Sequence, residues 1–152
     1  MSKMKIAVAS DHGGFKLKNK IKEYLKSEGF ELIDFGTQNE ESCDYPDFAL
    51  PAAEAVASGK CDRGILICTT GIGVSMVANK VPSVRCALCH DTRSAELTRR
   101  HNDANVLAMG GIAVEESVAL EIADIFLKTE FEGGRHMRRV EKITAVEKKY
   151  CK

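Results

Sequence analysis

The run ILICTTGIGVS at residues 65–75 places a cysteine where an apolar stretch gives way to glycine. Cys68 is followed by Thr69 and Thr70, and then by Gly71, Ile72 and Gly73. Glycines let a backbone approach a ligand closely, and the N–H groups of such a turn, with those of a following helix, attract an anion. The same positive field favours thiolate over thiol, so Cys68 is a candidate base or nucleophile as well as a strand residue. Three further polar turns have chemistry to offer. Asp11-His12-Gly13-Gly14 follows an apolar run, and His101-Asn102-Asp103 closes a helical stretch. Gly133-Gly134-Arg135-His136 leads on to Arg139, and two arginines four apart, next to a histidine and two glycines, suit the gripping of phosphate. From Arg135 to Lys152 there are seven Lys/Arg against two Glu, so this tail is basic and the rest of the neutral chain is acidic. Singly, each feature has a plain alternative: a tight strand–helix connection, a polar turn, a histidine capping a helix dipole, a solvated helix face.

The elements that must position these residues are legible from periodicity. Near-continuous apolar runs at Ile6–Ala9, Glu31–Phe35, Gly64–Cys68, Arg85–Cys89 and Val106–Met109 read as parallel strands buried on both faces. Helical stripes fill the intervals: Lys16–Glu28, Pro46–Ser58, Ser75–Lys80, a segment capped by Asp91 and running to about His101, Glu115–Lys128, and Arg138–Tyr150. Repeated strand–helix units predict one doubly wound, Rossmann-like α/β domain spanning residues 1–152, with a five-stranded parallel sheet flanked by helices. In such sheets a ligand lies beyond the C-terminal ends of the strands, close to where the strand order reverses. Asp11, His12 and Cys68 all fall at strand ends of that kind.

Composition narrows the function classes. The 152 residues are 44% hydrophobic and 29% charged, with a formal net charge of zero, which gives no reason to expect nucleic acid or a membrane surface as partner. No apolar run approaches the roughly 18 residues that span a bilayer, and MSKMKIAVAS lacks the pattern of a signal peptide, so the expected location is the cytoplasm. There the six cysteines should stay reduced. Gly71-Ile72-Gly73 imitates a dinucleotide fingerprint, but Met76 stands where the third glycine is required. Cys86-Ala87-Leu88-Cys89-His90 spells a haem-attachment motif inside an apolar strand, where residues three apart face opposite ways.

Taken together, SDHGGFKLK, DYPDFA, GILICTTGIGVSMVANK, RRHNDANVLAMG and EGGRHMRRVEKI resemble the ribose-5-phosphate isomerase B (RpiB/LacAB) family in order and spacing, over nearly the whole chain. That resemblance implies a cofactor-free, metal-free aldose–ketose isomerase of the non-oxidative pentose phosphate pathway. It would interconvert D-ribose 5-phosphate and D-ribulose 5-phosphate through a cis-enediolate. Family members that act on allose or galactose 6-phosphate define the alternative, and a non-catalytic phosphate- or nucleotide-binding module is the rival from another class. The resemblance further implies Cys68 as the proton-moving base, His101 as the acid that opens the sugar ring with Thr70 assisting, and the amides from Thr69 through Gly71, Ile72 and Gly73 as enediolate donors. Asp11, His12 and Asn102 would contact substrate, and Arg135, Arg139 and nearby His136 would hold the phosphate. It implies a homodimer, or a dimer of dimers, with sites shared between subunits and the C-terminal helix packed on the partner. Two positions depart from the family pattern: Thr69 replaces a usual glycine, and Ile112 replaces a usual phosphate-binding arginine.

Overall fold

The computed structural model describes residues 3–151 and contains five strands and six α-helices in alternation. The strands are β1 (Lys5–Ser10), β2 (Glu31–Asp34), β3 (Arg63–Cys68), β4 (Cys86–Leu88) and β5 (Val106–Gly110). All pairings are parallel, in the order β2-β1-β3-β5-β4. The chain steps outward from β1 to β2 and then returns to place β3 on the other side of β1. The strand order therefore reverses between β1 and β3, and a crevice opens between the loops leaving them.

The helices are α1 (Phe15–Ser27), α2 (Pro46–Ala57), α3 (Ile72–Ala78), α4 (Thr92–Asn102), α5 (Glu116–Lys128) and α6 (Arg135–Tyr150). Alternate strand residues divide between two clusters, as the period of two requires. Ile6, Val8, Ile65, Ile67, Leu107 and Met109 pack against Ile21 and Leu25 of α1, Ala95 of α4, and Ile122 and Phe126 of α5. On the other face Ala7, Ala9, Leu66, Cys68 and Ala108 meet the alanine-rich side of α2 and Val74 and Ala78 of α3. Cys86 packs with this second cluster and Cys89 with the first, so the two thiols of the haem-like motif lie on opposite faces. Burial pushes the Cys86 thiol up to about 12, with Cys89 adding to it. Helix α6 rests on α4 rather than on the sheet. No helix among the described residues is long and apolar enough to cross a membrane.

Two helices begin earlier than the periodicity implies. α3 starts at Ile72 instead of Ser75 because Gly71, at φ 80°, turns the chain from the strand straight into it. A β-carbon there would meet Leu88 Cδ1 at 2.6 Å and the Met109 carbonyl carbon at 2.7 Å, so the position requires glycine both for conformation and for space. α6 starts at Arg135 instead of Arg138, since Gly133 and Gly134 absorb the turn with φ of 70° and 57°.

Candidate active site

The crevice between β1 and β3 gathers one group of the sequence-derived residues. A cavity of about 430 Å³ is lined by Asp11, Tyr45, Cys68, Thr69, Thr70, Ile72, Gly73 and Met76. Ser10 pairs with Ile67 across the ladder, so Asp11 and Cys68 end their strands at the same level. Asp11 is buried and caps the 3-10 turn His12–Gly14, its Oδ1 accepting the Gly14 N–H at 3.2 Å. The Cys43 N–H donates to Nδ1 of His12 at 3.2 Å. Nδ1 is therefore an acceptor, and a neutral His12 carries its proton on Nε2, which leaves that nitrogen as a donor.

Cys68 is 5% exposed at the mouth of this cavity, and the Gly71 N–H points at its sulfur at 3.1 Å. A backbone donor so placed stabilises negative charge on sulfur. The Ile72 N–H is taken up by Thr70 Oγ1 at 3.2 Å. Two of the five amides between Thr69 and Gly73 thus serve the loop itself, leaving Thr69, Thr70 and Gly73 to meet a ligand oxygen. The Thr69 hydroxyl covers Gly13, occupying the space a β-carbon there would need. Ile112 donates its N–H to the Thr69 carbonyl at 3.2 Å, and its side chain is 76% exposed beside the loop.

The second group assembles elsewhere. α4 runs back along the sheet, so its last residues lie at the N-terminal ends of the strands. There the Gly64 N–H at the start of β3 bonds the Asn105 carbonyl, and the Asn105 N–H bonds the Arg85 carbonyl. Asp103, in the left-handed region at φ 48°, receives Arg85 at 3.3 Å and Arg99 at 2.9 Å. Arg85 also donates to the Asn102 and Asp103 carbonyls, and the almost fully buried Arg99 donates to the Ala104 and Thr129 carbonyls. This clamp fixes the turn that carries His101 and Asn102.

The His101 ring stacks on His136 from the start of α6, with centroids 4.2 Å apart and 9° between planes. His136 is buried, and that burial, together with His101 and the arginines of α6, holds it below the ordinary histidine value against the pull of Glu132. Arg135 and Arg139 are exposed and make no ion pair among the described residues.

The two groups are far apart within one chain. Gly64 and Cys68 are four strand steps apart, about 13 Å at about 3.3 Å per residue. Cys68 also belongs to the α2/α3 face, whereas α4 covers the other. Sequence reasoning passed over Tyr45 and Met76, which line the cavity, and Glu132, which touches the histidine pair. Tyr45 had one signal, its place just before the proline that opens α2.

The model of the ribose/galactose isomerase family matches residues 6–143, nearly the full length. The chain belongs to the ribose/galactose isomerase family. Among its relatives in that family is the ribose-5-phosphate isomerase B of Escherichia coli, 49% identical over 145 residues that cover 95% of this chain and 97% of the relative. The solved structure of ribose-5-phosphate isomerase B from Clostridium thermocellum superposes with a TM-score of 0.95 at 57% identity, covering 97% of this chain and 99% of that one. The enzyme of the same name from Mycoplasma genitalium, solved with bound ribulose-5-phosphate, is 45% identical with a TM-score of 0.92, over 97% of this chain and 99% of that one. As a member of this family, the chain is an isomerase.

Proposed function

We propose that the chain interconverts D-ribose 5-phosphate and D-ribulose 5-phosphate, and that each of its sites is completed by a second copy. The observation that carries the chemistry is the Cys68 sulfur at the β1/β3 crevice, with an amide donor aimed at it and Asp11 and Thr70 beside it. With the sugar ring open, the Cys68 thiolate takes the C2 hydrogen of the aldose as a proton. The electrons left behind form the C1–C2 double bond, and O1 becomes the enediolate oxygen. The free loop amides face that charge, the arrangement that supplies the largest share of stabilisation in such reactions. The thiol then returns the proton to C1, and the O2 hydroxyl passes its proton to O1, leaving a ketone at C2. Atoms and charge balance with neither cofactor nor metal.

His101 supplies the proton for ring opening, Asn102 and His12 hold hydroxyls, and Arg135 and Arg139 hold the phosphate. A single sugar cannot reach both Cys68 and His101 on one chain, which supports a composite site between two copies. α6 offers the contact surface, since Ile143, Val146 and Tyr150 are 48%, 60% and 72% exposed along one stripe. The direct test is kcat/KM for ribose 5-phosphate, allose 6-phosphate and galactose 6-phosphate, in the wild type and in Cys68→Ala. The pentose should lead by at least tenfold and Cys68→Ala should lose turnover while keeping its fold. A leading hexose refutes the substrate, and an active Cys68→Ala refutes the base.

A further inference from the structure

Glu132 is held over the edges of the stacked histidine pair. Its Oε2 lies 3.0 Å from Arg100 Nε and 3.8 Å from His101 Nε2, and its Oε1 lies 3.9 Å from His136 Nε2. The Glu132 N–H donates to the Arg100 carbonyl at 3.1 Å, so the residue is tied to the end of α4 through both backbone and side chain. Arg100 is in turn paired with Glu96 at 3.0 Å, one turn back on α4. From α6 the pair is faced by the cations Arg135 and Arg139.

Two imidazoliums stacked this closely repel, so the pair holds one proton comfortably and two badly. Burial, His101 and the arginines of α6 hold His136 below the ordinary histidine value, against the pull of Glu132. A carboxylate set across both ring edges favours a proton on the pair, and His101 is the ring that is open to a ligand while His136 is covered. The same three side chains suit a metal poorly. The rings are parallel, so their lone pairs run side by side instead of converging on one point, and Arg100 already occupies Oε2.

We propose that Glu132 is a positioning residue for ring opening, fixing His101 and keeping on it the proton that the sugar's ring oxygen receives. This rests on the reading of His101 as the ring-opening acid given above. In that step the C1–O4 bond breaks, O4 takes the His101 proton, and the O1 hydroxyl releases its proton to water, leaving the aldehyde.

The test compares Glu132→Gln, which keeps the shape and the Arg100 contact, with Glu132→Asp, which keeps the charge. Two reactions are followed: isomerisation of ribose 5-phosphate, and exchange of deuterium from D2O into C1 of ribulose 5-phosphate. The ketose is acyclic, so its exchange needs Cys68 but no ring opening. Glu132→Gln should lower kcat for ribose 5-phosphate by about tenfold to a hundredfold and leave exchange within about twofold. It should also move the alkaline limb of the kcat profile to lower pH, because the charge favouring an imidazolium is gone. Glu132→Asp should restore most of the rate. Wild-type kcat and an unmoved alkaline limb in Glu132→Gln overturn the proposal. Equal loss of isomerisation and exchange also overturns it, in favour of a structural role, and loss of wild-type turnover on dialysis against EDTA overturns it in favour of a metal. His101→Ala separates the two levels. If it turns over ribose 5-phosphate normally, the His101 assignment itself falls, whereas a slow His101→Ala beside a normal Glu132→Gln removes only the role of Glu132.

Discussion

Two inactive variants of this chain should restore each other. Take Cys68→Ala, damaged at the C-terminal ends of the strands, and His101→Ala, damaged at their N-terminal ends and on the other face of the sheet. If each site draws Cys68 from one copy and His101 from the other, a hybrid dimer concentrates both lesions in one site and leaves its twin intact. Purified through two different tags, that hybrid should show about half the wild-type kcat, by the two-fold symmetry of an isologous dimer. After random reassortment of equal amounts, about half the dimers are hybrids, so the mixture should recover about a quarter of wild-type activity. Each parent alone should fall by at least about a hundredfold, so the recovery stands well above background. The same logic sorts the residues into two complementation groups. Asp11→Asn should fail to rescue Cys68→Ala, and Arg139→Ala should succeed. The assay is ribulose 5-phosphate formation before and after co-refolding. A hybrid no more active than the mean of its parents would show that one chain holds the whole site, and would refute the separation argued from α4.

Other consequences concern the support of the site. Lys18 is fully buried, bonded to Asp34 at 2.9 Å and to the Thr37 carbonyl, and holds the segment after β2 against the end of β1. Lys18→Met should cost about 3 kcal/mol in denaturant unfolding, the low end for breaking a buried pair, because Lys22 at 2.6 Å still serves Asp34. Burial alone would raise the Asp34 carboxyl, but Lys22, Lys18 and the Gly36 amide together hold it below the usual carboxylate range. The unfolded state thus binds the extra proton on acidification. The contribution of Asp34 is complete above the unfolded value near pH 4 and is lost as pH falls through the folded one. Asp34→Asn should flatten that acid limb of stability. Gly71→Ala should destabilise by at least about 1–3 kcal/mol, the left-handed strain alone, with the clash on the Met109 backbone adding to it, and should lower kcat because its amide moves off the Cys68 sulfur. Ile112→Arg, adding a cation at an exposed position beside Thr69, should lower KM for ribose 5-phosphate by about fivefold with kcat little changed. An unchanged KM would place that side chain away from the phosphate.

What the chain discloses by itself follows from how far apart the interacting residues are in sequence. The strands, their shared direction and the C-terminal crevice follow from local apolar runs and the handedness of crossovers, and β3 with Cys68 at its end is a local fact. The starts of α3 and α6 lie upstream of the periodic stretches because Gly71 and Gly134, loop residues by type, are the points from which the helices spring. Lys18 stands at helical spacing from Ile21 and Leu25, on the stripe that faces inward, and only the return of residues 34–37 over α1 supplies the partners its ammonium needs there. Glu132 acquires a role only once α6 lies on α4 and brings His136 against His101. The insertion of β5 between β3 and β4 leaves no local mark at all. Yet one long-range conclusion is contained in the alternation of elements. In a parallel sheet every strand ends at one pole and every crossover helix ends at the other, so a motif closing a strand and a motif closing a helix are carried to opposite poles. Cys68 closes a strand and His101 closes a helix. A reaction that needs both on one sugar therefore needs two copies of this fold.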